Sequence, residues 1–115
     1  MNSKYERQLK KGVLEILVLK LLDQQTMYGY QIIQTLKEYS NSMFLLKEGT
    51  LYPILYRLED EGCLTSFWSH SNSKDVPKKF YKITEKGKQT LKELIDLWTS
   101  FSLEVSKILE DSKDE

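Results

Sequence analysis

The hydrophobic period of this chain changes at Gly62, and that change leaves few folds open. Up to Gly62 the apolar residues recur at helical spacing. Just past it, "CLTSFWSH" (63–70) and "KKFYKIT" (78–84) are rich in aromatic and β-branched residues and bracket the polar loop "SNSKDVP". That pattern predicts a β-hairpin with a longer loop. From Thr84, a good N-cap, the helical period returns and holds to about Leu109.

The segments before Gly62 divide at polar breaks. Ser3-Lys-Tyr-Glu6 has capping-box spacing and predicts a first helix from about Lys4. Apolar residues from Leu9 to Leu22 nearly encircle that helix, so it is expected to be buried on more than one side. "DQQT" (23–26) reads as a turn, and "YGYQIIQTLKEY" (28–39) as a second helix with Ile32, Ile33 and Leu36 inward. Gly29 in that helix suggests close approach of a neighbouring backbone. "SNSMFLLKE" (40–48) connects to a third helix in "GTLYPILYRLEDEG" (49–62), which stops at Gly62 as its C′ glycine.

A helix pair followed by a hairpin is the winged helix-turn-helix arrangement, whose second helix enters the DNA major groove while the hairpin touches the flanking backbone. The fold expected is therefore mainly α with a small β-hairpin. Residues 1–83 would form the winged helix-turn-helix, and 84–115 a long C-terminal dimerisation helix with a frayed acidic tail, one compact domain in all. A chain of 115 residues suits one core.

On a helical wheel of the third helix, Leu51, Ile54, Leu55 and Leu58 cluster, while Pro53, Tyr56, Arg57 and Asp60 lie opposite. With Thr50 or Gly49 as N-cap, Pro53 falls in the first turn, where the helix gives up no hydrogen bond. Thr50 and Tyr52 can bond phosphate or base edges, and Arg57 can reach phosphate or guanine. In the wing, Lys74, Lys78 and Lys79, with His70, are candidate phosphate contacts. The alternative is a helix whose tyrosines cap a small core, which Tyr52 and Tyr56 alone would favour; Thr50, Tyr52, Pro53 and Arg57 together, followed by a basic wing, favour DNA.

The net charge is zero but segregated: +3 over residues 1–12, −3 over 13–73, +5 over 74–92 and −5 over 93–115. Two basic stretches could meet a polyanion if the fold brings them to one side. His70 has no second His or Cys at ligand spacing, so no metal is expected. No nucleophile–base set, glycine-rich phosphate loop or carboxylate pair is present, so neither enzyme activity nor a cofactor is expected. The single Cys63, the absence of an apolar signal stretch and the charges within "GVLEILVLKLL" (12–22) predict a cytoplasmic protein with no membrane span.

In the last helix Leu91, Leu94, Trp98, Phe101, Val105 and Ile108 are spaced 3, 4, 3, 4, 3, an a/d seam. A helix over 84–109 is about 39 Å long at 1.5 Å per residue, against a radius of gyration of ~13 Å for such a domain. A second copy is the simplest cover, giving a two-fold dimer through this helix with help from the first; wrapping around its own domain is the alternative. Trp98, mid-seam, would either pack against its mate or wall a slot for a flat aromatic ligand.

Over nearly its whole length the chain resembles the PadR family of bacterial transcriptional regulators. The resemblance rests on "GVLEILVLKLL", "YGYQI" (28–32), "EGTLYPILYRLEDEGCLTSFW" (48–68), "KKFYKITEKG" (78–87) and a tryptophan-bearing last helix. It implies a dimeric winged-helix repressor on a palindromic operator, of the short subfamily with a single C-terminal helix. Some similar proteins hold flat aromatic, phenolic or cationic compounds between paired tryptophans; by position that implies a site at Trp98 with Leu94, Ile95 and Phe101 as neighbours. The wing departs from the common pattern in having lysines only, "VPKKFY" (76–81), which keeps phosphate contact and removes bidentate base reading. The rival functions are a winged-helix module that binds protein, not DNA, and a small-molecule carrier.

Overall fold

A computed structural model describes residues 3–69 and 76–110. His70, Lys74 and the tail from 111 onward lie outside the described residues. Along the chain come α1 (Ser3–Lys11), α2 (Leu14–Gln24), β1 (Met27–Tyr28), α3 (Gly29–Tyr39), α4 (Glu48–Asp60), β2 (Leu64–Ser69), β3 (Lys78–Ile83) and α5 (Glu85–Leu109).

The predicted first helix is two helices. Gly12 interrupts it, and the Val13 N–H turns back to the Lys10 carbonyl at 3.0 Å. The two parts differ in chemistry. α1, "SKYERQLKK", is polar and lies on the surface, whereas α2 contributes Leu14, Val18, Leu19, Leu21 and Leu22 to the core. Glycine is a poor helix former, and here no burial compensates it on the α1 side. The all-round apolar character belongs to α2 alone.

α3 and α4 form the helix-turn-helix. Ile32 and Leu36 on α3 meet Leu51, Leu55 and Leu58 on α4 within one hydrophobic core. β2 and β3 pair antiparallel from Leu64↔Ile83 to Ser69↔Lys78. β1 adds a third strand on the other edge of β3, pairing Met27↔Tyr81 and Tyr28↔Phe80. At two residues it is too short to show an alternating pattern.

One corner joins the wing to both flanking helices. Gly62 takes φ +83°, the left-handed region that suits glycine. The Cys63 N–H donates to the Leu58 carbonyl of α4 at 2.8 Å, and the Cys63 carbonyl accepts from the Thr84 N–H at 3.0 Å. Thr84 Oγ1 donates to the Gly62 carbonyl at 2.6 Å and accepts from the Gly87 N–H at 3.0 Å, capping α5 as its sequence position predicts. Gly87 is required there: a Cβ would run into the Cys63 carbonyl and the Ile83 side chain.

α5 begins inside the domain and ends beyond it. Leu91 is 4% exposed, in the domain's own core, and Leu94 packs against that core. The seam proposed from spacing is thus corrected at its first position: Leu91 is covered by its own chain. Farther along, Trp98 is 46% exposed, Phe101 63% and Ile108 74%. The radius of gyration is 16.9 Å and the molecule measures 69 × 33 × 20 Å. Those dimensions exceed the ~13 Å expected of a compact chain this long, because α5 overhangs. No described helix is long and apolar enough to cross a membrane.

Candidate nucleic-acid interface

α4 buries one stripe and presents the rest. Leu51, Ile54, Leu55 and Leu58 are buried, while Gly49, Thr50, Pro53, Tyr56, Arg57 and Asp60 are exposed. At about 100° per residue, Gly49, Pro53, Tyr56 and Asp60 form the crest opposite the core. Thr50 and Arg57 lie along one edge, Tyr52 and Glu59 along the other.

Pro53 does not stand in the first turn. α4 starts at Glu48 with Lys47 as N-cap, so Pro53 is inside the helix, in its second turn. The Gly49 carbonyl therefore loses the N–H it would have received four residues on. The loss is tolerable because Gly49 is exposed with open space around it, and its carbonyl can be solvated. A rigid apolar ring then caps the crest.

The two edges are tied to different parts of the domain. On the first, the Arg57 guanidinium is paired with the Glu15 carboxylate of α2, through Nε at 2.8 Å and through a second nitrogen. Arg57, expected to reach phosphate or guanine, is thus already paired, and either ligand would have to compete with Glu15. On the second edge, Tyr52 is half-buried and its phenol lies against Gly29 at the start of α3. The close neighbour that Gly29 admits is this ring, not a backbone. Burial, with Glu48 and Tyr56 adding, pushes the Tyr52 phenol above its ordinary value. Tyr52 is a packing residue with only its margin available, a correction to the outward role inferred for it.

The wing meets this second edge. Ser66 Oγ donates to the Glu59 carboxylate at 2.6 Å. The Lys79 ammonium sits 5.8 Å from the Tyr56 ring centroid and 5.6 Å from that of Tyr81, within cation–π range. Tyr52 and Tyr56 are 5.9 Å apart, so three tyrosines and a lysine bridge α4 and β3. Tyr81 is buried with no partner for its hydroxyl among the described residues. Burial, then the neighbouring Tyr56, Glu59 and Tyr52, raises its phenol to about 12. On the opposite sheet face Lys78 lies 5.6 Å from the Tyr28 ring, beside Phe80, and Phe80 stacks on Phe67.

A groove of about 650 Å³ lies at Trp98, walled by Tyr5, Leu9, Ile16, Leu17, Phe44 and their neighbours. Leu94, Ile95 and Phe101, the neighbours expected for Trp98, do not line it. Its walls come from α1, α2 and the α3–α4 loop, so sequence reasoning confined to α5 missed them. A periodic apolar pair on α1, Tyr5 and Leu9, was the available signal. No cluster that could hold a metal ion occurs among the described residues.

The sequence matches the model of the transcriptional regulator PadR-like family over residues 18–93, from within α2 into α5. The chain belongs to the PadR-like family. It is 35% identical over 79 residues to the negative transcriptional regulator PadR of Bacillus subtilis, covering 69% of this chain and 43% of that one. It therefore spans less than half of that relative's length. A PadR family regulator from Eggerthella lenta superposes with a TM-score of 0.82 at 34% identity, covering 94% of this chain and 91% of the other. A PadR-like regulator from Bacillus cereus gives 0.75 at 31%, covering 90% and 97%. PadR family proteins regulate transcription and are not enzymes.

Proposed function

We propose that this protein is a cytoplasmic, dimeric PadR-family repressor that reads a palindromic operator with α4 and clamps the flanking backbone with its wing. The observation that carries this reading is the shared surface of Tyr56 and Lys79. A wing cation rests on an exposed aromatic of the helix crest, so both elements present one face to a ligand. Thr50, Pro53 and Tyr56 meet the groove floor, Tyr52 contributes its margin, and Arg57 exchanges Glu15 for a phosphate. Lys78, Lys79 and Lys74 hold the backbone. Repression is supported by the negative regulator of Bacillus subtilis to which the chain is similar.

The dimer forms through the exposed part of the α5 seam, Trp98, Phe101, Val105 and Ile108, with Leu94 at its margin and α1 alongside. A flat hydrophobic, phenolic or cationic aromatic compound occupies the groove at Trp98 and lowers operator affinity. The apolar lining and volume of that groove support this reading.

Gel shift with DNA from upstream of the protein's own gene tests the function. Retarded complex should form at low salt and weaken steeply as salt rises, because several lysines displace counterions. Unchanged function after Lys78→Ala with Lys79→Ala would instead favour a protein-binding winged-helix module. Trp98→Ala should abolish fluorescence quenching by a planar phenolic ligand and leave operator binding largely intact; Trp68, on the wing, supplies the residual signal.

A further inference from the structure

α1 has two faces with different chemistry. Tyr5 and Leu9 line the groove at Trp98. Lys4, Arg7, Gln8 and Lys11, spaced 3, 1 and 3 along the other face, line a second groove of about 690 Å³. The far wall of that groove is Lys47 and Thr50, at the N-terminal end of α4. The ridge between the two grooves is Glu6 and Lys10, paired at 3.0 Å, with the Lys10 ammonium also donating to the Met43 carbonyl. The acid on the basic groove's wall is thus already neutralised. Arg7, Lys11 and Lys47 have no ion-pair partner among the described residues.

We propose that the basic face of α1, with Lys47, is a second phosphate clamp that grips duplex DNA beside the N-terminal end of α4. The inference rests on the DNA-binding reading and extends it to residues outside helix-turn-helix and wing. Three observations point to DNA as the occupant. The groove carries Lys4, Arg7, Lys10, Lys11 and Lys47 against one acid, Glu6, around an apolar remainder of Leu14, Phe44, Leu45 and Leu46. It opens at the start of α4, with the N-cap Lys47 and Thr50 in its lining, so the positive end of that helix adjoins the same groove. It also continues the Thr50 edge of α4, while the wing lysines border the opposite edge. α4 is then flanked by a cationic element on each side, placed to meet the phosphates of a duplex straddling its crest.

Fluorescence anisotropy with a mixed-sequence DNA duplex over a KCl series tests this on the full chain. Arg7→Gln with Lys11→Gln should weaken binding and lower the slope of log affinity against log salt by about 2, and Lys47→Gln by about 1. Lys20→Gln with Lys92→Gln, the same charge change at the α2–α5 groove, should leave the slope unaltered. If the α1 pair retains the parent slope while Lys78→Gln with Lys79→Gln loses it, α1 makes no contact and the wing reading stands. An equal loss in the Lys20/Lys92 pair also overturns the clamp, since net charge alone would then explain it. If the parent protein fails to bind duplex at low salt, the DNA-binding reading falls and the clamp falls with it.

Discussion

At the residue scale, Tyr81 shows how the proposed recognition surface is held from behind. Its ring is fully buried under Tyr56 and Lys79, and its hydroxyl lacks a partner among the described residues. A buried phenol raised to about 12 favours the neutral form in the folded state. Its contribution is complete below pH 10, the ordinary value for tyrosine, and drains away as pH climbs toward 12, where the unfolded chain has already released its proton. Tyr81→Phe should therefore be at least as stable as the parent at neutral pH, because it removes an unsatisfied hydroxyl costing about 1–3 kcal/mol. It should also lose less stability between pH 10 and 12; urea midpoints across that range decide it, and parallel curves would refute it. Residues whose role is local were legible in the sequence: Thr84 as a cap and Gly62 as a helix stop. Arg57 and Tyr52 were not, since their partners Glu15 and Gly29 stand 42 and 23 positions away. A helical wheel knows nothing of a neighbouring helix.

At the element scale, period and punctuation located α3, the hairpin and α5 nearly to the residue. They failed where an element is short or its start is shifted. β1 has two residues and is defined by its ladder to β3, not by any pattern of its own. The Gly12 break was hidden because apolar positions of α2 ran on into Leu9 of α1. Pro53 was misplaced by one turn because α4 starts at Glu48, before the Gly-Thr pair that looks like its cap. The α5 cap offers a direct test. Thr84→Ala removes both the bond to the Gly87 N–H and the bond to the Gly62 carbonyl, and should cost about 1–2 kcal/mol. Thr84→Ser should recover most of the loss in equilibrium urea unfolding. Full stability in the alanine variant would show that the corner holds without its hydroxyl.

At the scale of the whole molecule, an overhanging helix was foreseeable from its length against the size of one domain. Which part overhangs was not: the first turns of α5 are consumed by the core at Leu91, and the exposed apolar surface starts near Ile95. An arm this apolar supports the proposed second copy. Phe101→Asp with Ile108→Asp should convert the proposed dimer to a monomer in sedimentation equilibrium while retaining the parent's cooperative unfolding, because neither side chain is buried within the chain. A persistent dimer would move the interface away from α5.

The corner where Cys63, Thr84 and Gly87 interlock has a further consequence. Two hydrogen bonds cross it, from the Thr84 N–H to the Cys63 carbonyl and from Thr84 Oγ1 to the Gly62 carbonyl, while one more closes the end of α4 and another caps α5, so the two helices turn as a single bracket. In the proposed dimer of such brackets, the angle at which two arms cross would dictate how far apart the two α4 helices stand. On the proposed reading, operator spacing would then be inherited through the arm. A relative could acquire a longer or shorter interval between half-sites by substitutions near Phe101 or Val105, with every DNA-facing side chain unchanged.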